Sequence, residues 1–180
     1  MRIQIVCIFN RALTKNQDLM KSVSSAARNG LPIYAECGGL IYLSKSLKWN
    51  DRIYPMADLF DIDLEMNKKP VGHGYTEAEI DRTNPYYETG ALIRGHEFHY
   101  TGPIAKVDPE SACMKIKTGT GLDGSRDGMV YRNCFASYTH IHASGDNEWA
   151  SSFVEVASIY RDENQNPDDE KDNDNIEAIE

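Results

Sequence analysis

The sequence has no apolar run that approaches the length of a membrane-spanning helix, which needs roughly 18–20 residues. Residues 1–9 are basic and then apolar, as at the start of a signal peptide. The apolar part is short, however, contains Gln4 and lacks a small-residue cleavage site. We therefore interpret this segment as a β-strand, and we expect neither secretion nor a membrane partner.

Cysteine is also scarce, and its four residues show neither a CxxC motif nor a paired spacing. This pattern indicates neither a zinc site nor a disulfide framework. Sparse cysteine in a chain of this length is typical of a reducing compartment, so we expect the protein in the cytoplasm. The four residues are Cys7, Cys37, Cys113 and Cys134.

Basic residues are few, and they form no stripe. The chain has 19 Lys and Arg against 28 Asp and Glu, a formal net charge of −9. Residues 162–180 hold nine of the acidic residues and one lysine, so this segment carries −8 and residues 1–161 carry −1. A nearly neutral body argues against nucleic-acid binding. We predict one domain over residues 1–161 and an acidic, disordered tail over residues 162–180.

The first 50 residues show an alternation of helix and strand patterns. Apolar spacing predicts a helix over residues 14–29, which Thr14 begins and Gly30 ends. A short strand is predicted at 33–35, and a second helix covers the apolar positions of 40–47. The stretch 50–70 has a mixed pattern, and we predict irregular structure there.

The second half is rich in strand patterns, and the predicted class is therefore an α/β domain with a strand-rich second half. An amphipathic helix is predicted at 148–160, where the apolar positions follow helical spacing. Before it, strands are predicted at 71–81, 91–100, 114–118, 129–131 and 134–142.

Cys37 is the first candidate for chemistry, because it lies between a predicted strand and a predicted helix. Gly38 and Gly39 permit a sharp turn that would present the thiol at the edge of the sheet. The N–H groups and dipole of the following helix favour a thiolate, and the Gly38 N–H is placed to donate to an oxyanion. From the residues alone, however, a small buried cysteine is the commoner explanation of such a position.

A thiolate nucleophile needs a base, and the sequence offers His140 and His142 at the end of a predicted strand. Their spacing places both rings on one face of that strand, which would also suit a metal ion. No third ligand is clustered nearby in the sequence, so the metal hypothesis is the weaker one.

His96 and Glu97 form a second candidate pair for acid–base chemistry. Strand alternation separates them, because successive side chains point to opposite faces. His96 shares its face with Phe98 and Tyr100, and Glu97 shares the other with His99. A structural or substrate-orienting role is the preferred interpretation of this motif.

Three segments together resemble one known family, the cobyrinic acid a,c-diamide synthases. Residues 30–43 (GLPIYAECGGLIYL) resemble the nucleophile segment of that family. Residues 95–100 (GHEFHY) and 136–142 (ASYTHIH) resemble its second and third signatures, in the same order along the chain. The similarity extends from about residue 10 to about residue 160.

The resemblance implies a flavodoxin-like class I glutamine amidotransferase domain, present in part. Cys37 would attack the side-chain amide of glutamine, with His140 raising its nucleophilicity and Gly38 and Gly39 binding the oxyanion or substrate. The ammonia that leaves as the glutamyl thioester forms would amidate carboxylates a and c of a tetrapyrrole, and water would then release glutamate. Most class I enzymes have a glutamate two residues after the histidine; His142 occupies that position here, so another residue must orient His140.

The chain departs from the full family pattern in two respects. It has no Gly-x-x-x-x-Gly-Lys-Ser/Thr motif, so we expect ATP and magnesium only on a separate synthetase domain or subunit, and no cofactor or metal on this chain. The Gly-Gly-Gly-Tyr loop that supplies a second oxyanion donor is absent. Losing one such donor costs about 10²–10³ in rate, so we expect little glutaminase activity from this chain alone.

Three alternatives remain open at this point. In the first, the chain is a catalytically inactive fragment that acts as a binding or assembly subunit. In the second, the synthase to which the chain belongs amidates nickel-sirohydrochlorin or a siroheme-type ring. The third alternative is a cysteine hydrolase with no role in ammonia transfer.

Overall fold

The computed structural model describes residues 10–141 and 148–164, so the strand predicted over residues 1–9 lies outside the described residues. Within them the chain forms four α-helices and one 3₁₀ turn at Pro109–Ser111. The helices are α1 (Asn10–Lys15), α2 (Gln17–Arg28), α3 (Gly38–Leu43) and α4 (Glu148–Asn164). No helix in this part of the chain is long and apolar enough to cross a membrane.

The described residues also form ten strands in two sheets. A six-stranded sheet has the order β1-β10-β9-β8-β5-β6, and a four-stranded sheet has the order β3-β2-β4-β7. The strands are β1 (Ile33–Glu36), β2 (Ser44–Trp49), β3 (Arg52–Pro55), β4 (Phe60–Met66), β5 (Gly72–Ile80), β6 (Leu92–His99), β7 (Thr101–Pro103), β8 (Ala112–Thr118), β9 (Arg126–Tyr131) and β10 (Cys134–Ser137). The predicted α/β class with a strand-rich second half is confirmed.

One parallel pair positions the candidate site. β1 runs parallel to β10, with Glu36 beside Ser137, whereas β10, β9, β8, β5 and β6 pair antiparallel. The carboxyl ends of parallel strands meet at the same edge of a sheet. The turn after β1 and the segment after β10 therefore lie side by side.

The helix predicted over 14–29 is present as α2, but it begins at Gln17, and the prediction that Thr14 begins it is wrong because Asn16 is the N-cap. Thr14 lies within α1, and the side chain of Asn16 accepts a hydrogen bond from Leu19 N at 3.1 Å. Asn is among the strongest N-cap residues. The helix ends at Arg28, and Gly30 has a φ of 94°, which glycine tolerates.

The predicted helix over 40–47 is wrong in its second part. Helix α3 ends at Leu43, and the chain passes directly into β2, where Leu47 is fully buried. Leu40, Ile41 and Leu43 are buried as well. A short, continuous apolar run has no period that separates a buried helix from a buried strand, so the boundary was missed.

The prediction of irregular structure over 50–70 is also wrong. β3 and β4 lie there, and β4 pairs in parallel with β2. In β4, the buried residues Phe60, Ile62 and Leu64 alternate with acidic residues. This is the period-2 pattern of a strand with one buried face, and it was readable from the sequence.

The predicted strand over 134–142 is shorter in the structure. β10 ends at Ser137, because the next two backbone N–H groups, of Tyr138 and Thr139, donate to the buried carboxylate of Asp127 rather than to a neighbouring strand. His140 then returns to the sheet through an isolated bridge with His96.

An aromatic cluster holds helix α4 against the six-stranded sheet. Tyr34 stacks on Phe135 and on Trp149, with ring centroids 5.2 Å and 4.7 Å apart. Tyr86 is 1% exposed, and its hydroxyl donates to the Asn133 carbonyl. The aromatic pair at 86 and 87 therefore packs in the core.

Helix α4 runs past the predicted start of the acidic tail. It ends at Asn164, so residues 162–164 are helical. The Asn164 side chain donates to the Tyr160 carbonyl at 2.7 Å, which satisfies an acceptor in the last turn. The predicted tail over 165–180 lies outside the described residues.

Candidate active site

Cys37 occupies a sharp turn between β1 and α3. Its φ is 46° and its ψ is −94°, a conformation that a residue with a side chain rarely adopts. Two hydrogen bonds hold it: Cys37 N donates to Ser137 O at 2.7 Å, and Ile41 N donates to Cys37 O at 3.0 Å. The strand–turn–helix predicted around Cys37 is present, and its backbone is tied to both neighbouring elements.

The two glycines after Cys37 allow α3 to begin close to β1. Gly38 is the first residue of α3, and a Cβ at Gly39 would lie 2.8 Å from the Cβ of Ala35. Any side chain at position 39 would therefore push the helix away from the strand. The Gly38 and Gly39 N–H groups lie in the first turn of α3, where backbone donors have no intrahelical partner.

His140 is placed beside this turn by a contact with β6. His96 N donates to His140 O at 3.0 Å, and His140 N donates to His96 O at 2.8 Å. The two imidazole rings stack with centroids 5.1 Å apart. A Cβ on Gly95 would collide with the His140 carbonyl, so this approach of backbones requires glycine at position 95.

Glu36, the residue before Cys37, contacts His140 directly. His140 Nδ1 lies 3.1 Å from Glu36 Oε2, and Ile141 N donates to Glu36 Oε1 at 3.1 Å. Sequence reasoning left the orientation of His140 to an unidentified residue and missed this one. An acid adjacent to the candidate nucleophile was the available signal.

The surroundings of His140 favour its protonated form. The hydrogen bond with Cys37 is the largest cause that raises its pKa, the Glu36 carboxylate is the second, and burial opposes both. Together they raise the pKa of His140 to about 10. At neutral pH His140 is therefore an imidazolium that contacts the side chains of Cys37 and Glu36.

Asp127 is a second residue that sequence reasoning missed. It is fully buried and accepts four hydrogen bonds, from Gly128 N, Tyr138 N, Thr139 N and Thr139 Oγ1, at 2.9–3.0 Å. Burial raises the pKa of Asp127, and these hydrogen bonds act against that rise. The carboxylate fixes the two residues before His140, and nothing in the local sequence, where Asp127 lies between Arg126 and Gly128, indicates that role.

The structure separates Glu97 from this group. Its side chain is 2% exposed, accepts from Thr120 N at 2.6 Å and Gly121 N at 2.8 Å, and lies 3.2 Å from His99 Nε2. Burial alone would raise the pKa of Glu97, but the hydrogen bonds from His99, Gly121 and Thr120 outweigh it and lower the pKa. The predicted alternation along β6 holds, with Glu97 and His99 buried and His96 exposed.

The remaining candidates are placed as follows. His96 stacks on His140 and belongs to the site, whereas His142 lies outside the described residues. Across the ranges 10–141 and 148–164, no three His, Cys, Asp or Glu side chains cluster in a way that could hold a metal ion. The structure thus brings together Glu36, Cys37, His96 and His140.

A family model described as the CobB/CobQ-like glutamine amidotransferase domain matches residues 7–148 of this chain. Among curated proteins, the cobyrinate a,c-diamide synthase of Magnetococcus marinus is 36% identical over 143 residues, 79% of this chain and 31% of that protein. The synthases of Saccharolobus solfataricus (39% over 132 residues, 73% of this chain and 29% of that protein) and Salmonella typhimurium (36% over 146 residues, 81% and 32%) are similar as well. The chain spans about a third of the length of these relatives.

Among solved structures, one glutamine amidotransferase superposes on the chain with a TM-score of 0.56 at 16% identity. The superposition covers 81% of this chain and 71% of the other. At this identity the likeness concerns the fold, and it agrees with the class I amidotransferase fold that the sequence predicted.

Proposed function

This chain belongs to the CobB/CobQ-like glutamine amidotransferase domain family, and we propose on that premise that it hydrolyses the side-chain amide of glutamine with Cys37 as nucleophile and His140 as acid and base. One observation carries the proposal: a cysteine held at positive φ contacts a histidine whose pKa is raised to about 10. A histidine that stays protonated beside a cysteine favours the thiolate, which is the reactive form of the residue.

The first half of the reaction releases ammonia. The Cys37 thiolate attacks the amide carbon of glutamine, and the negative charge moves to the amide oxygen, to which the Gly38 N–H donates in this proposal. The His140 imidazolium then gives its proton to the departing nitrogen. The carbon–nitrogen bond breaks, ammonia leaves, and a glutamyl thioester on Cys37 remains beside a neutral His140.

The second half restores the enzyme. Neutral His140 takes a proton from water as the water oxygen attacks the thioester carbon. The carbon–sulfur bond breaks, glutamate leaves, and Cys37 returns to the thiolate beside a protonated His140. One water is consumed for each glutamine: one of its protons stays on His140 for the next departing nitrogen, and the other leaves the new carboxyl group of glutamate for solvent.

The ammonia, in this proposal, passes to an ATP-dependent synthetase unit that amidates carboxylates a and c of a tetrapyrrole. The support is that the curated relatives are cobyrinate a,c-diamide synthases and that this chain spans about a third of their length. The sequence has no P-loop motif, and the described residues offer no cluster of metal ligands. In this proposal ATP and magnesium act on the synthetase unit.

The test measures glutamate release by the chain with and without a cobyrinate synthetase unit. We expect release to depend on Cys37, so Cys37→Ala abolishes it with or without the synthetase unit. Cys113→Ala is the matched control, because Cys113 is a buried cysteine on β8 whose pKa burial raises to about 12. Equal release by wild type and Cys37→Ala contradicts the proposal. Absence of release from wild type under both conditions favours the inactive assembly subunit.

A further inference from the structure

We propose that Glu36 is the positioning residue of this site: it holds His140 in the tautomer and orientation that the Cys37 chemistry needs. This inference rests on the proposed function of Cys37 and His140. It fills a gap that the sequence leaves open, because the position two residues after His140 is occupied by His142 rather than by an acid.

The two carboxylate oxygens of Glu36 make separate contacts with the histidine segment. Oε2 lies 3.1 Å from His140 Nδ1, and Oε1 accepts from the Ile141 backbone N–H at 3.1 Å. A carboxylate that faces Nδ1 keeps the hydrogen of a neutral imidazole on that nitrogen. The lone pair of the neutral ring then lies on Nε2, the nitrogen that takes the proton of the attacking water.

The backbone gives this carboxylate a fixed position relative to the nucleophile. Glu36 is the last residue of β1 and pairs with Ser137 of the parallel strand β10, and Cys37 N donates to Ser137 O at 2.7 Å. The acid is therefore the last residue of β1, the nucleophile is the next residue in the turn, and the histidine lies in the segment that follows β10. The register between β1 and β10 therefore sets both the distance from Glu36 to His140 and the distance from Cys37 to His140.

Three titratable side chains face the His140 ring within the described residues. Cys37 and Glu36 contact it directly, and His96 stacks on it at 5.1 Å. Glu97, the other nearby acid in the sequence motifs, is engaged with His99, Thr120 and Gly121. Glu36 is thus the one carboxylate seen against His140 in this part of the chain.

Glu36→Gln tests the proposal, because glutamine keeps the size of the side chain and removes its charge. To keep the bond from Ile141 N, the amide oxygen must face Ile141, so the amide NH₂ faces Nδ1 of His140. Nδ1 must then accept, and the hydrogen of the neutral ring moves to Nε2, where it blocks the base. The matching acid-to-amide change in serine–histidine–aspartate hydrolases lowers kcat by about 10⁴.

Two readouts on the full 180-residue chain separate positioning from mere folding. The first is the pKa and tautomer of His140, measured by nuclear magnetic resonance on histidine-labelled protein. We expect Glu36→Gln to lower the pKa by at least about one unit and to shift the neutral ring to the Nε2–H tautomer. The second is the rate at which diazo-oxo-norleucine alkylates Cys37, which we expect to fall at least about 100-fold.

Two further variants make the result decisive. Glu65→Gln is the matched control, because Glu65 lies on β4 and pairs with Lys48 at a partly exposed position; both readouts should stay at their wild-type values. Glu36→Asp keeps the charge, and we expect it to retain a raised pKa and an alkylation rate within about tenfold of wild type. It also serves if Glu36→Gln fails to fold, which circular dichroism would reveal.

The failures of the two proposals are distinguishable. If wild-type Cys37 reacts and Glu36→Gln matches wild type in both readouts, the role of Glu36 is refuted while the proposed function stands. If Glu36→Asp loses as much as Glu36→Gln, the charge of Glu36 is not what acts. If wild-type Cys37 does not react, the proposed function fails, and the resonance measurement alone still decides whether Glu36 orients His140.

Discussion

Two histidine–glutamate pairs in this molecule have the same kind of contact, an imidazole nitrogen beside a carboxylate oxygen, but they differ in their surroundings. His140 lies 3.1 Å from Glu36, and His99 lies 3.2 Å from Glu97. In the first pair the two side chains are 30% and 28% exposed, whereas in the second they are 0% and 2% exposed. The difference teaches that the neighbours of such a pair, rather than the pair itself, decide whether it supports chemistry or the fold.

In the buried pair, both imidazole nitrogens and both carboxylate oxygens already have hydrogen-bond partners. His99 Nδ1 faces the Thr101 carbonyl at 2.7 Å, and its ring stacks on Tyr138 with centroids 3.7 Å apart. Glu97 holds the backbone of Thr120 and Gly121. At the edge of the sheet, by contrast, His140 keeps one ring nitrogen for Cys37.

The largest effect is expected from breaking the edge pair. His140→Gln removes the acid and base, and we expect the alkylation of Cys37 by diazo-oxo-norleucine to slow by about 10²–10⁴-fold. His73→Gln is the control, because His73 is exposed on β5 and packs on Phe98. A His140→Gln rate equal to that of His73→Gln would show that His140 takes no part.

Breaking the buried pair, His99 and Glu97, should mainly lower the stability of the fold. Glu97→Ala leaves His99 and two backbone N–H groups without their acceptor, and we expect it to lower the free energy of unfolding by about 3–5 kcal/mol. Urea denaturation measures this loss. Glu77→Ala, which removes a pair with the exposed Arg94, should cost no more than about 1 kcal/mol; similar losses in both variants would contradict the comparison.

Gly95 connects the two pairs, because β6 carries Glu97 and His99 and also bridges to His140. Gly95→Ala places a methyl group against the His140 carbonyl and should displace the ring, with a loss of about 10²-fold in Cys37 alkylation. Gly102→Ala is the control, since a Cβ there would meet only Val71, at 3.4 Å. An unchanged rate in Gly95→Ala would mean that the bridge does not position His140.

The smallest effect concerns pH. The pKa of His140 is raised to about 10 from 6.5, so protonated His140 stabilises the fold fully below pH 6.5, and this contribution is lost as the pH rises through 10. Wild type should therefore lose more stability than His140→Gln between pH 7 and pH 11, measured by urea denaturation. Parallel curves for the two proteins would contradict the raised pKa.

Much of the framework was readable from the sequence, because it depends on local patterns. The strand–turn–helix around Cys37 followed from a glycine pair between apolar segments, and the alternation along β6 separated His96 from Glu97 correctly. The resemblance carried by three short motifs is confirmed by the family match over residues 7–148. These features need no knowledge of which distant segments meet.

The missed parts depend on contacts between distant residues or on neglected local signals. Glu36 meets a histidine 104 positions away, and only the parallel pairing of β1 with β10 brings them together. Asp127 likewise acts on residues of another segment. β4 is different: its alternation was present and was overlooked among the acidic residues.

The central claim is that Cys37 is a nucleophile for glutamine, and peptide mapping after diazo-oxo-norleucine treatment tests it most directly. Burial raises the pKa of Cys113 and of Cys134 to about 12, so these thiols stay protonated and serve as internal controls. We predict that the label appears on Cys37 and that excess glutamine protects it. A label that is absent from Cys37, or that glutamine does not reduce, would contradict the account.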